Sequence, residues 1–267
     1  MKYQLLLTDI DGTLIPYDRQ EISEAHKQAL IGLQQKGCIV AIASGRVTQG
    51  IEKFAQELRL AEFGGFIISN NGAEIINCKT REVLYRNPLT TEDVHTLYQE
   101  SVEHDIHTML MQEEFVIMTG YDEAVHFDHN AVGMDFIWPT DMKRYLDRYT
   151  LRMNFTKTPE RLDEVEQIFV AKYGDRFEIM RPQRRFLDVM RKDVDKGTAL
   201  LRLAEHLNIP LEAVVACGDG GNDYGMIQKA GLGVAMADAF ESVKEIAQVI
   251  APTAKQDGLA WLIENYL

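Results

Sequence analysis

Tyr3-Gln4-Leu5-Leu6-Leu7-Thr8-Asp9-Ile10-Asp11-Gly12-Thr13 is the stretch on which the fold turns. A strand with one wet face alternates apolar and polar residues, whereas Leu5-Leu6-Leu7 is apolar without a break. That is the pattern of a strand buried on both faces, the usual state of a central parallel strand. Outward from it, Ile22, Ala25, Ala29, Leu30 and Leu33 recur at helical spacing as far as Gly37, a C-terminal stop. Cys38-Ile39-Val40-Ala41-Ile42-Ala43 then predicts a second buried strand, completing a β-α-β unit. Ile51, Phe54, Ala55 and Leu58 predict a further helix, Gly65-Phe66-Ile67-Ile68-Ser69 a strand, and Asn70-Asn71-Gly72 a turn.

From residue 83 to 190 the texture changes. Helical stretches at 91–103 and 159–173 are interleaved with strand-like runs at 115–119, 152–156, 177–180 and 186–190. After Asp195 the alternation resumes with a helix through Leu200, Leu203, Ala204 and Leu207. A strand at 213–217, a helix from Asn222, Gly233-Val234-Ala235-Met236 and a closing helix ending at Leu267 follow. The expected architecture is α/β: a doubly wound parallel-sheet core, Rossmann-like, over 1–82 and 191–267, with an α+β domain inserted at 83–190.

Composition agrees with two packed domains and narrows the partners. The 267 residues are 46% hydrophobic and 26% charged, enough apolar matter to bury cores. A formal net charge of −13 argues against a nucleic-acid partner, since affinity for phosphodiester backbones rests mainly on Lys and Arg. No apolar run approaches the ~18 residues of a membrane span, and Asp9 arrives before a signal-peptide core could finish. Cys38, Cys78 and Cys217 are scattered, with no CxxC pair, which points away from disulfides and structural zinc. A cytoplasmic protein without a membrane partner is expected, and nothing in the sequence specifies an oligomeric state.

In open parallel sheets, ligands bind beyond the carboxyl ends of the strands. Four polar clusters fall there: Asp9-Ile10-Asp11-Gly12-Thr13, Ser44-Gly45-Arg46, Asn70-Asn71-Gly72 and Gly218-Asp219-Gly220-Gly221-Asn222-Asp223. Asp195-Lys196-Gly197 opens a helix and delivers a lysine to the same rim. Asp9, Asp11, Asp219 and Asp223 brought together would repel one another unless a cation joined them. An all-oxygen set without His or Cys favours Mg2+. Lys196, the hydroxyls of Thr13 and Ser44, and main-chain N–H groups of the glycine-containing turns are donors suited to phosphate. GxxxxGK[ST], GxSxG and HExxH are absent, as is GxGxxG after the first strand. With no serine nucleophile or histidine base in view, a carboxylate is the best nucleophile, and Asp9 would attack phosphorus.

Asp9-Ile10-Asp11-Gly12-Thr13-Leu14, Ser44-Gly45-Arg46, Asp195-Lys196-Gly197 and the Gly218–Asp223 cluster resemble the four ordered motifs of the haloacid dehalogenase superfamily. More narrowly the chain resembles the Cof-type phosphatases, whose large α/β cap lies between the second and third motifs. The resemblance implies a Mg2+-dependent phosphomonoesterase acting on a small phosphorylated metabolite, sugar phosphates first, through an aspartyl-phosphate. It implies Asp9 as nucleophile and Asp11 as the acid that protonates the leaving alkoxide and then activates water. Ser44 would orient the phosphoryl group and Lys196 would neutralise charge. Asp219, with Asp223 beside or behind it, would hold Mg2+ together with Asp9 and the main-chain carbonyl of Asp11. Gly12, Thr13, Gly45, Arg46, Asn71 and Asn222 would be phosphate or substrate neighbours, and cap closure would exclude water. A phosphomutase using the same intermediate, and an idle metabolite-binding protein, are the alternatives. The chain departs from the family pattern at Ala237-Asp238-Ala239 and at Thr253-Ala254-Lys255-Gln256, both outside the four motifs.

Lesser candidates have plainer readings. His104 with His107, and His126 with His129, have metal-compatible spacing but read as exposed cap histidines. Cys217 reads as a buried thiol. Arg181, Arg184 and Arg185 form either a basic substrate face or a solvated turn.

Overall fold

The computed structural model describes residues 2–112, 115–121 and 135–267. In chain order the elements are β1 (Leu5–Thr8), α1 (Glu24–Gln35), β2 (Ile39–Ala43), α2 (Thr48–Glu57), α3 (Leu60–Phe63), β3 (Phe66–Ser69), β4 (Glu74–Asn77) and β5 (Val83–Arg86). There follow α4 (Thr91–Glu103), β6 (His107–Met111), β7 (Phe115–Met118), β8 (Asp135–Ile137), β9 (Arg152–Thr156), α5 (Pro159–Tyr173), β10 (Phe177–Gln183) and β11 (Phe186–Arg191). The chain ends with α6 (Lys196–His206), β12 (Val214–Gly218), α7 (Tyr224–Lys229), β13 (Leu232–Met236), α8 (Glu241–Ile246), β14 (Val249–Ala251) and α9 (Gly258–Tyr266). Two compact units result: Met1–Tyr85 with Asp195–Leu267, and Arg86–Val194.

The first unit is built on a sheet of order β14-β13-β12-β1-β2-β3-β4-β5. Every pairing from β14 to β3 is parallel, and β4 turns back antiparallel on β3. The unbroken apolar reading of β1 has its explanation in the two faces of this sheet. Leu6 packs with Leu30 and Leu33 of α1, Phe54 of α2 and Leu262 of α9. Leu5 and Leu7 point to the other face, with Leu200 and Leu203 of α6 and Met226 of α7. Both faces are covered, so alternation has no solvent side to express. β5, at the start of the stretch where the sequence texture changes, is carried in the order of this sheet.

The second unit has a sheet of order β10-β11-β9-β6-β7-β8, antiparallel except where β7 and β8 run together. Leu97 of α4 and Leu162, Val165 and Phe169 of α5 pack on Leu110, Met153, Phe155, Leu187 and Val189. Helix α4 opens with a capping box, in which Thr90 Oγ1 accepts from Asp93 N and Asp93 Oδ2 from Thr90 N. Pro159 at the start of α5 gives up an N–H that the helix would leave unbonded anyway. Among the described residues no helix is long and apolar enough to cross a membrane.

Candidate active site

In the first sheet the chain runs outward from β1 through β2 and β3 on one side, and from β12 through β13 and β14 on the other. The strand order therefore reverses between β1 and β12, which pair in parallel from Leu5↔Val214 to Thr8↔Cys217. A crevice beyond the carboxyl ends of two such strands is where open α/β sheets receive ligands. Asp9 leaves β1 there, its N–H still bonded to Cys217 O at 3.0 Å, and Asp219 leaves β12.

Lys196 enters from the first position of α6, whose N-terminus is capped by Asp195 accepting from Thr198 N at 2.9 Å. Its ammonium is fully buried and donates to Asp9 Oδ1 at 2.8 Å and to Asp223 Oδ1 at 2.6 Å. The other oxygen of Asp223 accepts from Asp219 N and Gly220 N, both at 2.9 Å. That pair of bonds folds the 3₁₀ turn Gly221–Asp223 back onto the end of β12, and Gly218 is a glycine because a Cβ there would overlap Asp223. Asp9, Asp219 and Asp223 are all buried and each offers an oxygen within 4.8 Å of the others.

Asp219 is pinned from the loop after β1. Thr13 Oγ1 donates to its Oδ1 and the Tyr17 hydroxyl to its Oδ2, each at 2.7 Å. Gly12 lies against the same carboxylate at φ 86°, and a Cβ there would overlap its oxygens. Gly12→Ala combines that overlap with a left-handed backbone that costs a non-glycine residue about 1–3 kcal/mol. It is expected to lower stability by that order and to weaken divalent-cation binding, both read in denaturant and metal titrations of the purified variant.

The remaining predicted residues fall around this centre. Asp11 is held by Arg46, whose Nη2 donates to Oδ1 at 2.6 Å and Nε to Oδ2 at 2.9 Å. The Asp11 carboxylate is thus bonded to a guanidinium and is not one of the three that cluster. Ser44 is buried, its Oγ accepting from Arg46 N at 3.2 Å, which leaves its own O–H to donate. Gly45 approaches the amide of Asn71, and Asn71 Oδ1 accepts from Asn222 Nδ2 at 3.0 Å, linking the turns after β3 and β12. The hydroxyl of Thr13, expected to face phosphate, is committed to Asp219. Tyr17 carries no motif signal and is absent from the sequence-based set; a phenol in the loop that continues the first motif was the available clue.

The electrostatics follow from three buried acids facing one ammonium. Burial first, then the charge of Asp223, holds Asp9 well above the ordinary carboxylate range, against the pull of Lys196. Burial and Asp223 push Asp219 up from 3.8 to about 7, although its bonds from Tyr17 and Thr13 favour the ionised form. Burial of its hydroxyl end and the charge of Asp219 in turn hold the Tyr17 phenol above its usual value, so it remains a donor. Such a site has excess negative charge and hard oxygen donors without a nitrogen or sulfur ligand, and it fits a hard divalent cation such as Mg2+.

A pH dependence follows for the metal-free protein. Between 3.8 and about 7 the folded state keeps a proton on Asp219 that the unfolded chain has lost, so stability falls as pH rises through that window; Asp9 acts in the same direction. Buried His26, held below its usual value, acts the other way in the same window, so the test compares the parent with Asp219→Asn by denaturant unfolding in chelator: the parent is expected to lose more stability than the variant between pH 5 and pH 8. The same change with pH in the parent and in Asp219→Asn would contradict the role given to Asp219.

Three of the lesser candidates, His104, Arg181 and Cys217, are engaged in packing or ion pairs. His104 and His107, expected to be exposed, are half-buried; His104 Nε2 lies 3.5 Å from Glu100 and its ring packs edge-on against Phe169. Among the described residues, neither His104 nor His107 belongs to a group of three or more metal-capable side chains; His126 and His129 lie outside the described residues. Arg181 pairs with Asp163 at 3.1 Å and Glu166 at 3.3 Å. Cys217 is fully buried, and burial holds its thiol well above the usual value, as an inert core residue requires.

Residues 6–263 match the family of haloacid dehalogenase-like hydrolases. The fold is similar to that of a haloacid dehalogenase-like hydrolase from Bacteroides thetaiotaomicron, with a TM-score of 0.91 and 33% identity over 100% of both chains. It is also similar to a subclass IIB sugar phosphatase of the haloacid dehalogenase superfamily, with a TM-score of 0.84 and 25% identity over 98% of each chain. In sequence the chain is 28% identical to the 5-amino-6-(5-phospho-D-ribitylamino)uracil phosphatase YcsE of Bacillus subtilis, covering 99% of this chain and 96% of that one.

Proposed function

The chain belongs to the haloacid dehalogenase-like hydrolases and is a phosphatase among them, and from that premise we propose that it hydrolyses small phosphorylated metabolites, sugar phosphates foremost, through a phosphoryl group carried on Asp9. The observation that carries this reading is the Asp9–Lys196–Asp223 arrangement at the strand-order reversal, with bonds of 2.8 and 2.6 Å to one buried ammonium. Lys196 orients Asp9 and leaves its second oxygen for attack on phosphorus. As the P–O bond to the leaving group breaks, Asp11, protonated and freed from its two bonds to Arg46, would give the departing alkoxide its proton. Asp11 then takes a proton from the water that attacks the aspartyl-phosphate, releasing inorganic phosphate and Asp9.

Ser44 would donate to a phosphoryl oxygen, and the Asn71–Asn222 pair would line the same rim. Asp9, Asp219 and Asp223, with the main-chain carbonyl of Asp11, would hold Mg2+, which supplies positive charge to the phosphoryl oxygens. Sugar phosphates come first because one structural neighbour is a sugar phosphatase and YcsE acts on a phosphorylated ribityl chain.

Phosphate release from sugar phosphates, sugar-alcohol phosphates, pyridoxal phosphate and flavin mononucleotide is the test, with Mg2+ and with a chelator. Metal-dependent release, greatest for a sugar or sugar-alcohol ester, is expected. Isomer formation without phosphate release would replace hydrolysis by a mutase reaction, and tight binding without turnover would make the chain a binding protein.

A further inference from the structure

Tyr17 has its two ends reversed for a surface tyrosine. The residue is 62% exposed, yet its hydroxyl is spent on Asp219, which is 4% exposed. An amphipathic side chain at a surface ordinarily lays its apolar body on the protein and gives its polar tip to water. Here the ring meets water and the tip meets a buried carboxylate. Fixing the side chain in that geometry costs rotamer freedom that a solvated phenol would keep, so the 2.7 Å bond must offset it.

The loop beneath Tyr17 is rigid enough to aim it. Gly12 N donates to Ile15 O at 2.8 Å, and Leu14 N and Ile15 N both donate to Ile10 O at 2.9 Å. His26 Nδ1 donates to Leu14 O at 2.9 Å, while its Nε2 accepts from Leu259 N at 3.1 Å, tying the loop to α9. From this base Thr13 takes one oxygen of Asp219 and Tyr17 the other. An ionised carboxylate accepts at about four positions, so two hydroxyls fix its plane and still leave both oxygens able to bind a cation.

Resting on the reading of Asp219 as a metal ligand, we propose that Tyr17 is a positioning residue for the metal: its hydroxyl, with that of Thr13, sets the orientation in which Asp219 meets a divalent cation. Hydrogen-bond partners of ligating carboxylates typically contribute 10–100-fold to metal affinity. The phenol does so from the solvent side, where it can be altered without disturbing the core.

The experiment is calorimetric titration of Mg2+ into the full-length parent, Tyr17→Phe and Asp219→Asn, with activity measured across a Mg2+ series. Tyr17→Phe keeps the ring, and its thermal unfolding in chelator checks that the fold is intact. The expected result is binding by the parent, none by Asp219→Asn, and a dissociation constant about tenfold higher in Tyr17→Phe. Activity that Tyr17→Phe loses at low Mg2+ should return when Mg2+ is raised by the same factor. Equal Mg2+ affinity in Tyr17→Phe and the parent overturns the role of Tyr17 and leaves the metal site standing. A loss of turnover that added Mg2+ does not recover overturns it too, and assigns Tyr17 to the substrate. A parent that binds no Mg2+ overturns the metal reading and this inference together.

Discussion

Asp9→Asn is expected to abolish phosphate release, by about 10⁴-fold or more, while making the metal-free protein more stable at pH 8. The first half follows from chemistry. An amide is nearly the shape of the carboxylate but cannot attack phosphorus to form an acyl phosphate, and removing a covalent nucleophile takes away most of the rate enhancement. The second half follows from burial. Asp9 is held in a dry site beside Asp223 and Asp219, which disfavours its charge. The neutral amide escapes that penalty, and its oxygen can still accept from Lys196. At pH values low enough to protonate Asp9 in the parent, the difference in stability should vanish. Measuring phosphate release together with denaturant unfolding at pH 4 and pH 8 checks both halves. A variant that is inactive but less stable at pH 8 would mean that the Asp9–Lys196 bond outweighs the cost of burying the charge.

Lys196→Met is expected to produce the largest loss of stability among single changes at the site. The side chain is fully buried and touches two carboxylates, and methionine matches its length without its charge. Removing one partner of a buried ion pair typically costs about 3–5 kcal/mol, because the remaining charges lose compensation. The acids can answer by taking up protons, so the cost should be near this range at pH 8 in chelator and smaller at pH 5. Turnover should fall by roughly 10²–10³, the effect of losing one preorganised donor to developing charge. Unfolding free energies of parent and variant at the two pH values decide the matter. A loss equal at pH 5 and pH 8 would assign it to packing of the lysine stem rather than to its ammonium.

The parts of this molecule that were legible in the sequence are those where local pattern and tertiary role coincide. β1, apart from Thr8, and β2 and β12 carry no polar side chain because helices cover both faces, so their burial was visible in their residues. The helices at Thr91–Glu103 and Pro159–Tyr173 carry their own start signals in Thr90 and Pro159. Three of the four acids expected to meet, Asp9, Asp219 and Asp223, were legible because strand ends in a doubly wound sheet converge by topology; Asp11 pairs with Arg46 instead. What side chains do after they arrive was not. Whether Thr13 faces phosphate or Asp219 depends on a carboxylate 206 positions away, and the Asp11–Arg46 pair depends on the angle between two loops. Tyr17 lacked any pattern because its contribution is one hydroxyl at the end of an otherwise solvated ring.

The pairing of β1 with β12 also governs the order in which the molecule can be made. When the first strands leave the ribosome, β1 has β2 to pair with, but its other edge stays open until Arg86–Val194 and then β12 have been synthesised. Only then can Val214 and its neighbours add to it, a closure of high sequence separation and therefore slow. Until that closure the nascent chain presents an unpaired apolar edge, the hazard for which chaperones exist. The same pairing brings Asp9 and Asp219 together, so the carboxylates of the candidate site meet only once β12 has joined β1, with β13 and β14 still to add. Completion of the Asp9–Asp219–Asp223 cluster accordingly marks the joining of β12 to β1 rather than the beginning of folding.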